Sequence, residues 1–253
     1  MASTSETGHA KNVANFKLIL SLLNELGTTY NPVLAAIKMA ALDTKAGECD
    51  AALSEVERCL NPYKNEVNAR DREYAKMKDL TISARAALKG CGAGEDVMKD
   101  ARGMVNKVLG RRTGPKPVKD PENPDWDPKS VSQLSFDMRR AHFSECVGFL
   151  STQTIYLPNE AELKASALRT YVDGLGAFND RVNDAYAPLV QARKDRDIVM
   201  YGPEAGMSEL TGIVKGYCKS VLGVKDPMFK KINGIKIKRT KKKKRLQRSL
   251  RYE

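Results

Sequence analysis

A chain of 253 residues, 42% hydrophobic and 29% charged, is long enough to bury one large core or two cores of about 100–120 residues each. Aromatic residues make up 6%, so the core falls to Leu, Ile, Val, Ala and Met; that argues for packed helices and against a β-sandwich. Of the net charge of +12, the stretch from Lys230 to Glu253 alone carries +11, so the body is close to neutral and the C-terminus is a cationic tail.

The first residues, Met1 to Asn12, are polar and lack the charged start, apolar centre and small-residue cleavage site of a signal peptide. Helix 1 is expected from about Asn12 to Leu26, where Phe16, Ile19, Leu20, Leu23 and Leu26 keep the spacing of one buried helical face. This is also the most apolar run of the chain, and it falls well short of the ~20 apolar residues of a membrane span. Gly27-Thr28-Thr29 ends it. Asn31-Pro32 reads as the next helix start, with Asn as cap and Pro at the first helical position. Helix 2 is then expected to reach about Leu60 on a heptad stripe of Leu42, Cys49 and Val56, filled in by Leu53 and Leu60. Pro62 predicts a kink or break, with helix continuing from about Tyr63 to Lys89. Gly90-Cys91-Gly92-Ala93-Gly94 reads as a turn before a shorter helix, Glu95 to Leu109.

Residues 113–130 form a linker with five prolines and the single Trp, Trp126; Pro lacks the backbone donor that helix and sheet need. After it the order of elements recurs. Phe136 to Leu150 mirrors helix 1, and Pro158 to Tyr186 mirrors helix 2. Pro188 opens a segment to about Tyr201, Gly202-Pro203 breaks it, and Met207 to Leu222 and Pro227 to Ile235 complete the set.

The recurrence is an internal duplication at the level of residues. Tyr30-Asn31-Pro32 matches Tyr156-Leu157-Pro158. Leu42, Cys49, Val56 and Leu60 match Leu168, Leu175, Val182 and Tyr186, and Pro62 matches Pro188. Leu80-Thr81 matches Leu210-Thr211. Both stretches close on a basic run, through Arg111-Arg112-Thr113 and Lys238-Arg239-Thr240. The expected organisation is a first helical repeat over 1–112, the linker 113–130, a second helical repeat over 131–235 and a basic tail over 236–253. The fold class is all-α, two homologous units of about four helices in a helical bundle. Two arrangements satisfy the pattern: each repeat forms its own bundle, or the two pack jointly about a pseudo-twofold axis.

Motifs for chemistry are scarce. Of two histidines, His9 lies near the start and His142 reads as an ordinary helix-surface residue. No H-E-x-x-H, E-x-x-H pair, Cys/His quartet or G-x-S-x-G occurs. The Gly90–Gly94 stretch follows a helix and precedes Glu-Asp, unlike a phosphate loop, which follows a strand and ends in Lys-Ser/Thr. The five cysteines are odd in number and widely spaced, the usage of a reducing, cytosolic-type compartment. Cys49 and Cys218 sit on apolar stripes as buried thiols. Carboxylates such as Glu55 and Glu66 alternate with Arg58 and Arg72 as solvated, paired faces. Arg70 and Arg193 share a place after Ala in the two repeats; that suits an inter-helix salt bridge or, more sharply, a paired anion site. The expectation is a non-enzyme with no cofactor and no metal.

The tail is the one strong compositional signal. Lys236, Lys238, Arg239, Lys241, Lys242, Lys243, Lys244, Arg245, Arg248 and Arg251 can neutralise many phosphates and release their counterions, giving salt-sensitive binding without sequence preference. The expected partner is a nucleic acid or ribonucleoprotein, with a protein partner or a second copy of the chain as the other option. The plainer reading is a solvated tail on a structural assembly module.

The opening Thr4-Ser5-Glu6-Thr7-Gly8-His9-Ala10-Lys11-Asn12-Val13-Ala14-Asn15-Phe16, followed by Tyr30-Asn31-Pro32, resembles a family of uncharacterised bacterial proteins found chiefly in the Bacteroidota. Ser135-Phe136-Asp137, Pro158-Asn159-Glu160 with Glu162-Leu163, and Lys219-Ser220-Val221-Leu222-Gly223 extend the likeness to about Ile237. The resemblance implies an all-helical, cytoplasmic protein and carries no activity or site residue with it. The Lys/Arg extension is heavier than that family leads one to expect.

Overall fold

Helix follows helix throughout residues 8–111 and 134–238, the part of the chain that the computed structural model describes, and no strand occurs among them. The seven α-helices of these residues are α1 (His9–Leu26), α2 (Met39–Gly90), α3 (Glu95–Leu109), α4 (Phe136–Thr152), α5 (Ala165–Tyr201), α6 (Met207–Leu222) and α7 (Pro227–Gly234). The chain is all-α. The Pro-rich linker with Trp126, and the tail from Arg239 onwards, lie outside the described residues.

Two compact units divide the chain: Met1–Asn61 with Ala187–Glu253, and Pro62–Tyr186. Each therefore draws helices from both sides of the linker. In the first unit, α1 buries Val13, Phe16, Ile19, Leu20 and Leu23 with Leu42, Ala46 and Cys49 of α2. Met207, Leu210, Val214 and Cys218 of α6 and Phe229 and Ile232 of α7 complete that core. In the second unit, Tyr74, Met77, Ala84 and Leu88 of α2 pack with Val105 and Val108 of α3, Phe143, Val147 and Leu150 of α4, and Leu168, Val172 and Leu175 of α5. Each fully buried side chain of this size contributes about 1.5–3 kcal/mol.

Local signals set most helix ends. Asp226 caps α7, its Oδ1 accepting from the amides of Met228 and Phe229 at 2.7 and 3.0 Å, with Pro227 in the first turn. Gly110, at φ 68°, ends α3; its amide bonds Lys107 O and that of Arg111 bonds Asn106 O, a paired closure that needs the left-handed conformation glycine adopts freely.

The helix starts expected at Pro32 and Pro158 are displaced. α2 begins at Met39 and α5 at Ala165, and short 3-10 turns, Ala35–Ile37 and Ala161–Leu163, stand in front of them. The cause is the tyrosine of each Tyr-x-Pro. Tyr30 and Tyr156 are buried, and each donates its hydroxyl, at 2.6 Å, to the carbonyl seven residues on, Ile37 and Leu163. The intervening chain is drawn into a tight loop instead of a first helical turn. The break expected at Pro62 and the new start at Pro188 also do not occur: both prolines lie inside continuous helices, α2 and α5. His142, read from sequence as a surface residue, is 9% exposed on α4, with Glu145 Oε2 3.8 Å from its Nδ1. Thr81 and Thr211 are buried alike, each donating to the carbonyl four residues back, Met77 at 2.6 Å and Met207 at 2.7 Å.

Candidate polyanion interface

Lys236 and Lys238 are the two tail residues of the sequence reading that the structure describes; Arg239, Lys241, Lys242, Lys243, Lys244, Arg245, Arg248 and Arg251 lie outside it. The segment behind α7 is extended rather than helical over 235–238. Along an extended chain successive side chains face opposite ways. Ile235 and Ile237 accordingly pack against the core of the first unit, while Lys236 and Lys238 are exposed.

The backbone of this segment is pinned by side chains of α1. Asn12 is 3% exposed; its Nδ2 donates to Lys238 O at 2.7 Å and its Oδ1 accepts from the Lys238 amide at 3.1 Å. One carboxamide thus does for Lys238 what a neighbouring strand would do. The same Nδ2 donates to the Tyr201 hydroxyl at 2.7 Å, and that hydroxyl lies 3.0 Å from His9 Nδ1. Burial and the charge of Arg196 both hold the His9 pKa below its usual value. One turn along α1, Asn15 Nδ2 donates to Lys236 O at 2.8 Å.

A lysine fixes the same segment from α6. Lys215 Nζ donates to Ile235 O and, at 3.3 Å, to Asn233 O, the free carbonyls at the end of α7. Burial first, and then the charge of Lys236, pull its pKa below the usual lysine value. The result is a rigid exit, with the backbone held on α1 and α6 and the first two tail ammonium groups facing outward.

Sequence reasoning found the lysines and missed their supports. Asn12, Asn15 and Lys215 carry no motif, and their partners lie up to 226 residues away. The alternation Ile235-Lys236-Ile237-Lys238 was the one available signal of an extended, half-buried segment. Arg70 and Arg193 are not brought together as a pair, nor does either form an ion pair among the described residues: Arg193 is exposed, and the Arg70 guanidinium carbon lies 3.7 Å above the Phe136 ring. Cys49 and Cys218 are buried, and burial pushes both thiols up to about 11. No three His, Cys, Asp or Glu side chains gather as metal ligands among the described residues, and no helix there is long and apolar enough to cross a membrane.

Comparison with known protein families, curated proteins and solved structures finds no match to this chain.

Proposed function

We propose that this protein is a non-enzymatic, cytoplasmic helical scaffold whose basic C-terminal tail binds an anionic partner, RNA, DNA or a ribonucleoprotein. On this reading the body is an internal duplication of one helical unit, and the second copy ends in a tail the first copy lacks. What supports it is the built exit of the tail. A solvated tail of no consequence needs no buried asparagine at its root, whereas Asn12, Asn15 and Lys215 together make five hydrogen bonds to the backbone at 233–238. A fixed origin raises the effective concentration of the tail cations beside whatever the body touches.

The test is electrophoretic binding of the full chain to RNA and to DNA across a salt series, beside a variant in which the basic residues from Arg239 to Arg251 are Gln. Log affinity should fall linearly with log salt, by about 0.7–0.9 per phosphate contacted, and the variant should lose most of the binding and most of the slope. Salt-insensitive binding, or a variant that binds like the parent, sinks the reading.

A structural assembly module is the second reading, and one observation favours it. The loops behind Tyr30 and Tyr156 expose large apolar side chains at matching places, Val33 at 96% and Leu157 at 79%. Lone exposed apolar residues are ordinary, so this reading stands only if the chain self-associates with its tail charges removed.

A further inference from the structure

Three arginines of the second unit converge where α4 begins, and none has a counter-ion. Arg70 comes from α2, and Arg139 and Arg140 from the first turns of α4. The Arg70 guanidinium lies 3.7 Å over the Phe136 ring, and that of Arg139 lies 5.8 Å from the same ring and 5.2 Å from Tyr74. Tyr74 and Phe136 meet edge to face at 4.8 Å, so the two cations flank one aromatic pair. Arg140 lies against α5: its Nε donates to Val172 O at 3.3 Å, and a Cβ placed on Gly176 would come within 3.2 Å of its guanidinium carbon. Any side chain at 176 would push this guanidinium away.

Half-buried arginines elsewhere in the protein are paired; Arg196, with its side chain 13% exposed, holds Asp197 at 2.6 Å. Arg70, Arg139 and Arg140 are all half-buried, yet no carboxylate lies within ion-pair distance of them among the described residues. Asp137 is beside them in sequence, but its Oδ1 accepts from Asn179 Nδ2 at 2.8 Å. Asp71 is near enough to act on Arg139 electrostatically without forming a pair. Arg70 Nε is buried with no hydrogen-bond partner, and the Arg70 side chain makes no hydrogen bond at all among the described residues. A charged donor left in that state is costly, by about 1–3 kcal/mol or more. Burial also pulls the Arg139 pKa below its usual value. The cluster is short of negative charge and holds unused guanidinium donors.

We propose that Arg70, Arg139 and Arg140 form a binding site for a phosphate group at the start of α4. Guanidinium forks match phosphate and carboxylate oxygens alike. Phosphate is favoured because these three forks come from different directions: two neighbouring positions of one helix differ by about 100°, and the third comes from α2. A tetrahedral dianion offers oxygens to all three, whereas a planar carboxylate serves two. This site is independent of the tail and stands whether or not the tail binds nucleic acid.

Isothermal titration of the full chain with inorganic phosphate, against sodium chloride of matched ionic strength, tests it. The expected result is saturable one-site binding that chloride does not reproduce. Arg70→Gln, Arg139→Gln and Arg140→Gln should each weaken it about tenfold, the factor one lost charge-assisted hydrogen bond carries. Arg58→Gln, at an exposed pair with Glu55, should leave it unchanged. Arg139→Lys keeps the charge and removes the fork, so it should still weaken binding even if a Gln variant fails to fold. Glycerol phosphate titrated in the same way distinguishes the source: Arg-dependent binding assigns it to phosphate esters, and exclusion assigns it to free phosphate. Heats no larger than those of chloride, or Gln and Lys variants that bind phosphate like the parent, overturn the proposal.

Discussion

Asn12 and Lys238, 226 residues apart, exchange two hydrogen bonds: the asparagine carboxamide donates to the lysine carbonyl and accepts from its amide. The first helix thereby holds the point at which the basic tail leaves the body. Asn12→Ala removes both bonds and a third, to Tyr201. At about 1 kcal/mol net for each bond, urea denaturation should show a loss of about 2–3 kcal/mol. Trypsin should also cleave after Lys236 and Lys238 much faster than in the parent. Unchanged cleavage would mean that Asn15 and Lys215 hold the segment without Asn12.

Tyr30 and Tyr156 make the same bond in the two units, hydroxyl to a buried carbonyl seven residues ahead. Phenylalanine at either place keeps the ring and leaves that carbonyl unpaired. Tyr30→Phe and Tyr156→Phe should each cost about 1–2 kcal/mol by chemical denaturation. A double variant should show close to the sum, because the two sites share no partner. Near-zero cost at both would remove this hydroxyl as the reason that α2 and α5 start late.

Pro62 and Pro188 sit inside α2 and α5, are exposed, and lie at or next to the division between the units. Neither ring is packed, so replacement loses no burial and restores one backbone donor. Pro62→Ala and Pro188→Ala should each stabilise the chain, by at most about 3 kcal/mol, read as a rise in the urea midpoint. A fall in the midpoint would contradict that.

Burial pushes the thiols of Cys49, Cys146 and Cys218 up to about 11. A folded pKa above the unfolded value of about 8.5 gives stability that is complete below that value. It is lost as pH rises toward 11, because only the unfolded chain releases these protons easily. Melting temperature should therefore decline between pH 8.5 and 10.5, and Cys49→Ala should make the decline shallower. At pH 8 a thiol reagent should modify Cys91 first, since it is the only half-exposed thiol. Modification of Cys146 at a similar rate would contradict its burial.

Several elements were legible locally. α3 and α6 occupy the ranges that Gly90–Gly94, Gly202-Pro203 and the apolar spacing set out, since breakers and periodicity act within a few residues. Burial of Cys49 and Cys218 followed from their stripes. The start of α2 was misread because Asn31-Pro32 is a good cap in isolation, yet Tyr30 can bond Ile37 only once its ring is buried in a core. His142 looked like a surface residue because a helix face is known to be buried only when its neighbour is known.

By itself, then, the sequence determined that the chain is helical, where most helices end, and that its charge gathers at one terminus, because propensity, periodicity and composition are properties of neighbouring residues. Only the tertiary structure decided that α1 and α6 fix the exit of the tail, and that three arginines meet at α4 without a carboxylate. Both depend on which side chains reach a given backbone or cation across long stretches of chain, and no local spacing encodes that.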